Sequence, residues 1–398
     1  MTTVGRLLIH AYACDPNRGS EPGMGWAFLK GALNASQNVT LVTRIKNEAP
    51  VLSALTAEER DRVRVVGHDL SGFARWVKKR TLFGTQLYYL VWQLRAISLV
   101  RSLHAKESYD LAHHVTFGVD WQPTALAYQK DLKFIWGPVG GRQIAPRPLR
   151  RFLGIRGRVS HFARHVAVRI GYRLFGRRAA RRCVYALAMN SDVAAVIARD
   201  TPTEVFPNVV VPPVNRRRPN ACQTSILGVG RLEPWKAWSI AIEALNRLPN
   251  DFRLVLVGGG PDRQRLLRLV RRLELADRVT VVDPVPRAEV IRLMSEAHCL
   301  IHPTLHDSSS WVAAEAVAVG LPVVALNLAG PRDVLQNTGN ELVEWRRPDV
   351  VGNVAHAVMT VPTHTHALNL YPQERISRFL PRLYERVVTE SGKELGSR

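Results

Sequence analysis

The chain has 398 residues, with 55 Lys or Arg against 33 Asp or Glu, so its formal net charge is +22. Its length favours two or three domains, and its 46% of apolar residues excludes disorder as the main state, because sizeable cores can be buried. The four cysteines stand far apart without a CxxC pair, which excludes a disulfide scaffold and a zinc-finger framework.

Neither a signal peptide nor a membrane span is predicted. The first apolar stretch is short and no small-residue cleavage site follows it. The longest apolar candidate, Leu87 to Val100, is interrupted by Gln93 and Arg95 and falls short of the ~18 residues that a span needs. We therefore expect a cytoplasmic protein. Its positive charge suits nucleic acid, an anionic membrane surface or a phosphate-bearing substrate, and charge alone does not choose among these.

Strand-like runs alternate with helix-like runs along the chain. The strand-like runs of the first half are Arg6–Cys14, Val39–Ile45, Val63–His68, Leu111–Thr116, Phe134–Pro138 and Tyr185–Met189. Those of the second half are Ile226–Gly230, Arg253–Val257, Val279–Val282, Cys299–Pro303 and Pro322–Leu326. Near-continuous apolar runs such as Leu254–Val257 are typical of parallel strands covered on both faces. The alternation therefore predicts α/β domains with doubly wound sheets.

A proline-containing basic segment separates the two halves. Residues 209–222 hold three prolines and no periodicity, which predicts a linker between domains at 1–208 and 223–370. Amphipathic helices are predicted over Trp238–Leu248 and Asp262–Leu275. A last helix over 371–390 has apolar residues spaced by three or four, and we expect it to pack back on the first domain.

The segment 142–182 is unusual in composition. It holds thirteen arginines, and no acidic residue occurs between Leu132 and Ser191. Two stripes repeat every four residues within it, an apolar one at Phe162, Val166, Ile170 and Leu174 and a basic one at Arg169, Arg173, Arg177 and Arg181. At ~100° per residue the stripes lie side by side on a helix. Such a helix suits an anionic lipid surface, and the alternative is a basic solvated face over an ordinary core helix.

Two groups of polar residues follow predicted strands of the second half. Arg231 and Lys236 come directly after Ile226–Gly230, at the edge where parallel sheets bind ligands. An Arg and a Lys there suit a diphosphate, although a solvated pair is the simpler alternative. After Cys299–Pro303, a Ser-rich loop carrying Asp307 leads to a helix start near Trp311, with Glu315 about one turn inside. Amides at a helix start favour an anion, and the carboxylates can accept hydrogen bonds from sugar hydroxyls.

Two further patterns lie in the first half. Gly19, Gly23 and Gly25 follow the first strand and open a helix, so the backbone there can approach a ligand closely. His113 and His114 end another strand. Because neighbouring strand residues point to opposite faces, one histidine can face a cleft while the other packs, and a core role for either is the alternative.

In this order the motifs resemble the family-4 glycosyltransferases of GT-B fold. The second half carries the more specific match, through Arg231 and Lys236, Gly258–Gly260, the interval from Asp307 to Glu315, and Gly320-Leu-Pro322. The first half resembles a branch found among polysaccharide-assembly enzymes, through Ala13-Cys-Asp-Pro, Gly-Ser-Glu-Pro-Gly at 19–23, His113-His-Val-Thr116 and Trp136-Gly-Pro-Val-Gly-Gly141. The resemblance implies two Rossmann-like domains facing each other across a cleft.

The resemblance also implies roles for individual residues. Arg231 and Lys236 would hold the diphosphate of a nucleotide-sugar donor, and Glu315 would bind the ribose hydroxyls. Asp307 would bind hydroxyls of the transferred sugar, with Ser308, Ser309 and Ser310 lining the donor. Gly23 and Gly25 would line the phosphate and acceptor side, and His114 or His113 would contact the sugar near its anomeric carbon.

The implied reaction is transfer of a sugar to an acceptor hydroxyl with retention of configuration, without a metal or other cofactor. With two fixed cations no metal is required to hold the diphosphate, and the sequence has no Asp-x-Asp. The acceptor would be a glycan or lipid-linked glycan in exopolysaccharide or cell-surface assembly, handled at the inner face of the cell membrane through 142–182. Nucleic acid is not an expected partner, because no RNP, zinc-finger or KH signature is present.

The acid motif departs from the family pattern. Asp307 stands where Glu is usual, and Ser308-Ser-Ser310 replaces the usual Gly-Phe-Gly. These differences leave the donor sugar open. They also leave a second hypothesis open, namely a catalytically weak relative that acts as a binding or scaffold subunit. A basic nucleic-acid-binding protein is a third hypothesis, which explains the charge of +22 but neither carboxylate.

Overall fold

The computed structural model describes residues 4–72, 84–214, 224–336, 338–362 and 365–395. The chain forms two compact units, the first from Met1–Arg142, Val166–Val210 and Gln373–Arg398, and the second from Gln143–His165 and Val211–Pro372. Each unit contains one parallel β-sheet flanked by helices. The predicted fold class, two Rossmann-like α/β domains, is thereby confirmed.

The sheet of the first unit has seven strands in the order β3-β2-β1-β4-β5-β6-β7, all parallel. They are β1 (Val4–Ala11), β2 (Ser36–Thr43), β3 (Val63–Gly67), β4 (Leu111–Thr116), β5 (Phe134–Val139), β6 (Tyr185–Ala188) and β7 (Thr203–Val205). The chain order reverses between β1 and β4. At such a crossover the carboxyl ends of the strands leave a crevice that binds ligands in open α/β sheets.

The sheet of the second unit has six strands in the order β10-β9-β8-β11-β12-β13, again all parallel. They are β8 (Ser225–Val229), β9 (Arg253–Val257), β10 (Val279–Val282), β11 (Cys299–His302), β12 (Val323–Leu326) and β13 (Glu341–Val343). The reversal falls between β8 and β11. The two polar groups predicted from the sequence follow these two strands, so the topology places them at one edge.

Helices cover the sheets. In the first unit they are Ser20–Leu33, Glu48–Ala54, Ala57–Arg62, Gly84–Glu107, Arg177–Arg182, Ser191–Ile197 and Gln373–Leu395. In the second they are Trp238–Leu245, Arg263–Arg272, Arg287–Glu296, Trp311–Val319, Ala329–Leu335 and Val350–Thr360. The helix Gly154–Gly171 contains the boundary between the units, and a π-helical turn, Tyr172–Gly176, follows it. No helix among the described residues combines the length and apolar character needed to cross a bilayer.

The unit boundaries differ from the predicted ones in the segment 143–165. We expected it within a first domain of residues 1–208, yet it is part of the second unit. The reason is apolar packing, because Leu149, Phe152 and Leu153 are buried in one core cluster with Trp238 and Leu266. Most of the predicted linker, residues 215–222, lies outside the described residues.

The last helix, Gln373–Leu395, is part of the first unit. Its buried Ile376 and Leu380 lie against Gly31 of the helix Ser20–Leu33, so that a Cβ at Gly31 would come within 2.9 Å of Leu380 Cδ1. The Tyr384 hydroxyl is 2.8 Å from Nδ1 of His113 in β4. These contacts join the end of the chain to the middle of its first sheet.

Candidate functional site

The loops that follow β8 and β11 meet at the crossover of the second sheet. The backbone N–H of Leu305 donates to the carbonyl of Trp235 at 2.8 Å, and the Trp235 ring stacks on His306 with centroids 5.2 Å apart. Within this pair of loops the Lys236 ammonium donates to Asp307 Oδ2 at 2.7 Å. The structure therefore brings together two residues that the sequence placed 71 positions apart.

Asp307 is held as a carboxylate by its neighbours. Burial alone favours the neutral acid, but the Lys236 charge and the imidazole of His302, whose Nε2 lies 3.4 Å from Asp307 Oδ2, outweigh it and keep the pKa of Asp307 well below its usual value. Burial also lowers the pKa of His302. The result is a mostly buried cation–anion pair with a neutral imidazole beside it.

Arg231 is the more accessible of the two predicted cations. Its side chain is 76% exposed and its guanidinium lies 2.6 Å from Glu233 Oε1. Burial raises the pKa of the Glu233 carboxyl, although the Arg231 charge opposes that change. An incoming anion can therefore reach Arg231 from solvent while Glu233 orients the guanidinium from the protein side.

Glycines let the loops after β8 and β9 approach each other. Gly258 has a φ of +149°, and a Cβ there would collide with the carbonyl oxygen of Gly230. The Leu232 N–H donates to the Gly259 carbonyl at 2.9 Å. Lys236 lies beside the same turn, since a Cβ at Gly230 would be 4.0 Å from its Cε. The close approach thus fixes the backbone from which Arg231 and Lys236 project.

Glu315 lies in the helix Trp311–Val319, whose start follows the Asp307 loop. Its Oε1 accepts a hydrogen bond from Arg287 Nε at 2.7 Å, and its side chain is 13% exposed. Sequence reasoning did not identify Arg287 as a partner of this carboxylate. Arg287 opens the helix Arg287–Glu296 after β10, so its position after a strand was the signal available.

The three serines of the loop have different surroundings. Ser308 Oγ donates a hydrogen bond to Gln143 Oε1 at 3.1 Å. Sequence reasoning did not select Gln143. Ser310, the residue before the helix Trp311–Val319, is 1% exposed. Its Oγ and the Gln143 Nε2 are buried without a hydrogen-bond partner among the described residues. Such groups are uncommon in folded proteins and mark places where a water or ligand completes the bonding.

The sequence predicted a glycine loop before the helix, but only Gly19 precedes it, and Gly23 and Gly25 lie inside the helix Ser20–Leu33 that follows β1. A Cβ at Gly23 would collide with the carbonyl oxygen of Arg18, and one at Gly25 with that of Ala13. Glycine at both positions therefore lets the first turns of the helix lie close to the loop before them. Next to it, Glu21 accepts hydrogen bonds from the Phe117 N–H at 3.0 Å and from Asn208 Nδ2 at 2.7 Å.

Both histidines of β4 are buried and hydrogen-bonded. His113 is 2.8 Å from the Tyr384 hydroxyl through Nδ1 and 2.8 Å from the Gly137 carbonyl through Nε2. His114 is 2.8 Å from Thr124 Oγ1 through Nδ1, and its Nε2 has a longer contact of 3.3 Å with the Tyr89 hydroxyl. Burial lowers the pKa of His113 to about 3 and that of His114 to about 4. Neither imidazole is exposed in this structure. This is the arrangement expected from the alternative in which the histidines have a core role.

No cluster of three or more His, Cys, Asp or Glu side chains in the described ranges has the geometry of a metal site. The charged side chains of the site in the second unit are paired, Lys236 with Asp307, Arg231 with Glu233 and Glu315 with Arg287. Arg231, Lys236 and Asp307 lie in the two crossover loops, and Glu315 follows on the next helix.

Comparison with known proteins identifies relatives of the second unit. Residues 216–350 match the family model described as "Glycosyl transferases group 1". The D-inositol 3-phosphate glycosyltransferase of Xylanimonas cellulosilytica is 35% identical over 136 residues, which are 32% of this chain and 33% of that protein. The chain thus matches about a third of the length of this curated relative.

Solved structures resemble nearly the whole chain. Sucrose-phosphate synthase from Thermosynechococcus elongatus has a TM-score of 0.59 at 15% identity, covering 97% of this chain and 100% of its own. The Anabaena protein Alr3699/HepE, solved with UDP and glucose, has a TM-score of 0.55 at 16% identity, covering 99% of this chain and 100% of its own. At such identities the likeness concerns the fold alone.

Proposed function

Residues 216–350 match the family model of glycosyl transferases group 1 and the chain shares the GT-B fold of its solved neighbours, and from this premise we propose that the protein transfers a sugar from a nucleotide-diphosphate-sugar to an acceptor hydroxyl. The observation that supports this most is the Lys236–Asp307 pair at the β8–β11 crossover. It sets a cation for a diphosphate next to a carboxylate for sugar hydroxyls, on the edge where such sheets bind ligands.

The chemistry follows from where charge develops. As the bond between the anomeric carbon and the diphosphate oxygen breaks, the acceptor oxygen bonds to that carbon and its proton passes to the leaving phosphate. Negative charge grows on the leaving phosphate oxygens until they take up the proton. Lys236, the exposed Arg231 and the amides at the start of the helix Trp311–Val319 would stabilise that charge. In the free protein Lys236 is neutralised by Asp307. Donor binding would give Lys236 a phosphate partner and leave Asp307 to accept hydrogen bonds from the transferred sugar.

The finer features of the reaction are also proposals. We propose a reaction that needs no metal, because two permanent cations can take its place at the diphosphate. Retention of the anomeric configuration is proposed on the family resemblance. The acceptor is proposed to be a glycan or lipid-linked glycan in exopolysaccharide or other cell-surface assembly, and a UDP-sugar is the first donor to test because Alr3699/HepE was solved with UDP.

Residues of the first unit have proposed roles as well. Gly23 and Gly25 would let the backbone lie close to the phosphate and acceptor side. Of the two histidines, we propose His114 as the sugar contact. Both nitrogens of His113 have short partners at 2.8 Å, whereas the contact of His114 Nε2 with the Tyr89 hydroxyl is longer, at 3.3 Å, and is the easier one to exchange for a sugar hydroxyl.

A donor panel tests the proposed function. UDP-, GDP- and ADP-sugars are scored first by thermal shift, because a ligand of the folded state raises Tm, and then by nucleotide release. Release of nucleotide from one donor class supports the enzyme. Binding without release would instead identify the catalytically weak relative, and binding of random DNA at physiological ionic strength with no nucleotide-sugar binding would identify the nucleic-acid-binding hypothesis.

Glu315→Gln is expected to weaken donor binding and to change kcat little, because a ribose contact forms equally in the ground and transition states. We expect KM for the donor to rise by roughly 10-fold, the effect of one charge-assisted hydrogen bond. Arg287→Ala is the matched control, since it removes the partner of Glu315 but not the carboxylate. Unchanged KM and nucleotide affinity in Glu315→Gln would exclude the ribose role.

We also propose that the protein works against an anionic membrane surface. The helix Gly154–Gly171 and the turn after it present an exposed apolar stripe, formed by Ile155, Val159, Phe162, Val166, Ile170 and Leu174. Phe162 is 67% and Leu174 62% exposed, so an ordinary core helix does not describe these side chains. Exposed arginines lie beside the stripe at Arg156, Arg158, Arg169 and Arg173. This combination suits insertion at the headgroup level of anionic lipid.

The glycines that break the helical pattern have a packing reason. A Cβ at Gly171 would collide with the carbonyl oxygen of Trp121, and one at Gly176 with that of Asp120. Both glycines therefore lie on the side that faces the protein. The exposed stripe continues past Gly171 to Leu174 on the other side.

Vesicle co-sedimentation tests the membrane surface. Wild-type protein is expected to bind phosphatidylglycerol vesicles and not phosphatidylcholine vesicles. A Phe162→Glu/Ile170→Glu variant is expected to bind at least ~10-fold more weakly, because two inserted apolar side chains are lost. The matched control is Leu52→Glu/Leu94→Glu. It adds the same two negative charges at two exposed leucines elsewhere in the chain. Equal, negligible binding of the wild type to both lipids would rule the surface out.

A further inference from the structure

Gln143 has a place in the second unit that the sequence did not indicate. It is 6% exposed and begins the segment 143–165 that packs in that unit. Its Oε1 accepts a hydrogen bond from Ser308 Oγ at 3.1 Å, across 165 positions of sequence. Ser308 directly follows Asp307, the residue paired with Lys236. Gln143 therefore contacts the loop that carries Asp307 and Ser308. It belongs to neither of the two groups of polar residues that the sequence predicted for this site.

One half of the Gln143 amide is bonded and the other half is not. Its Nε2 is buried and has no hydrogen-bond partner among the residues described, and the same holds for Ser310 Oγ two positions beyond Ser308. A buried donor without a partner costs free energy that folded proteins nearly always avoid. In the orientation that the structure gives, Ser308 bonds the amide oxygen, and the nitrogen is the end without a partner. The amide is thus held by Ser308 with one polar end left to bond elsewhere.

The chemistry of that free end restricts its ligand. An amide nitrogen only donates, so the group that completes it must be an acceptor, such as a hydroxyl or phosphate oxygen. The phosphates have the cations Lys236 and Arg231, which bind them with charge that an amide lacks. The transferred sugar carries hydroxyl groups. The Asp307 carboxylate can accept hydrogen bonds from these hydroxyls but cannot donate one to their oxygens. An amide donor beside Asp307 supplies what the carboxylate cannot.

We infer that Gln143 is a specificity-determining residue of the donor site, which donates through Nε2 to a hydroxyl oxygen of the transferred sugar while Ser308 holds its amide in place. This inference rests on the proposed function, because it assumes that a nucleotide-sugar occupies the Lys236–Asp307 loops. It assigns recognition of the sugar to Asp307 and Gln143 together. It also gives Ser308, one of the residues that depart from the family pattern, a positioning role.

The test compares the best donor of the panel with its deoxy and epimeric analogues, each lacking or inverting one sugar hydroxyl. A site built to bond a hydroxyl rejects the analogue without it. For the analogue altered at one particular hydroxyl, Gln143→Ala and Gln143→Met are expected to reduce the ratio of kcat/KM for the donor to kcat/KM for the analogue by at least ~10-fold. Both are expected to leave the affinity for free nucleotide unchanged. Gln143→Met is the sharper variant, since it keeps a side chain of similar length and removes the amide donor without adding a charge near Asp307. Gln264→Ala, on an exposed helical position, is the control.

Each outcome decides the inference separately from the proposed function. A ratio unchanged in both folded variants, or an equal loss for every donor and analogue, would mean that Gln143 only supports the loop. If wild-type protein binds nucleotide-sugars without turnover, the same ratio is taken from Kd values. If the wild type neither binds nor turns over any nucleotide-sugar of the panel, the proposed function and the inference both fail. Turnover with an unchanged ratio overturns the inference alone.

Discussion

Lys236→Ala is expected to lower kcat/KM for the best nucleotide-sugar by at least ~100-fold, the usual cost of removing one preorganised group that stabilises transition-state charge. Lys236 lies in the crossover loops with its ammonium 2.7 Å from Asp307 and only 18% of its side chain exposed. A cation in that setting is weakly screened, so its attraction for the leaving phosphate is strong. The loss should appear in kcat as well as in KM, because the phosphate charge grows in the transition state.

Two companion variants separate this role from a structural one. Arg292→Ala also removes one positive charge from the second unit, but from an exposed helix where Arg292 pairs with Glu289 and Glu296, and its kcat/KM should stay close to that of the wild type. Asp307→Asn breaks the same ion pair while keeping Lys236. If Lys236→Ala turns over the donor at a near-normal rate, Lys236 does not stabilise the leaving group.

Acid is expected to destabilise the first unit through the two histidines of β4. Burial holds the pKa of His113 at about 3 and that of His114 at about 4, against a usual value of 6.5. Below pH 6.5 the unfolded chain therefore binds protons that the folded chain does not. The free energy of unfolding rises with pH in that window, so stability is full above pH 6.5 and falls as the pH drops toward 4. Between pH 6.5 and pH 4 the two histidines together should lower the free energy of unfolding by roughly 5 kcal/mol.

Calorimetric Tm values between pH 7 and pH 4 measure this effect. For a unit of this size, roughly 5 kcal/mol corresponds to about 10 °C or more. His113→Gln should have a lower Tm at pH 7, because the bonds to Tyr384 and Gly137 change, but its Tm should decline less steeply with acid. His356→Gln, at an exposed position, should follow the wild-type slope. Parallel slopes for His113→Gln and the wild type would show that His113 already titrates normally in the folded protein.

Sequence patterns of short range predicted much of the site. Arg231 and Lys236 follow one apolar run and Asp307 follows another, and parallel strands present their carboxyl ends at one edge. The Lys236–Asp307 contact is the direct consequence. The edge strands Thr203–Val205 and Glu341–Val343 were missed, because three residues are too few to show a period of two.

Contacts of long range were not predictable in the same way. Glu315 pairs with Arg287, 28 positions earlier, and Ser308 with Gln143, 165 positions earlier. Arg287 opens a helix after a strand, but Arg263 does the same after β9, so this local signal did not select Arg287 as the partner. Gln143 was hidden for a different reason, since it stands in a segment whose composition pointed to lipid.

What the sequence determined by itself is the eleven longer parallel strands, the identity of the charged residues at their ends and the apolar period of the exposed helix. These are local properties, dictated by side-chain alternation, helical period and backbone freedom at glycine. The tertiary structure alone decided which charges pair, that residues 143–165 join the second unit, and that both β4 histidines are buried. Those outcomes depend on distant residues competing for the same buried volume and the same hydrogen bonds, and that competition has no local signature.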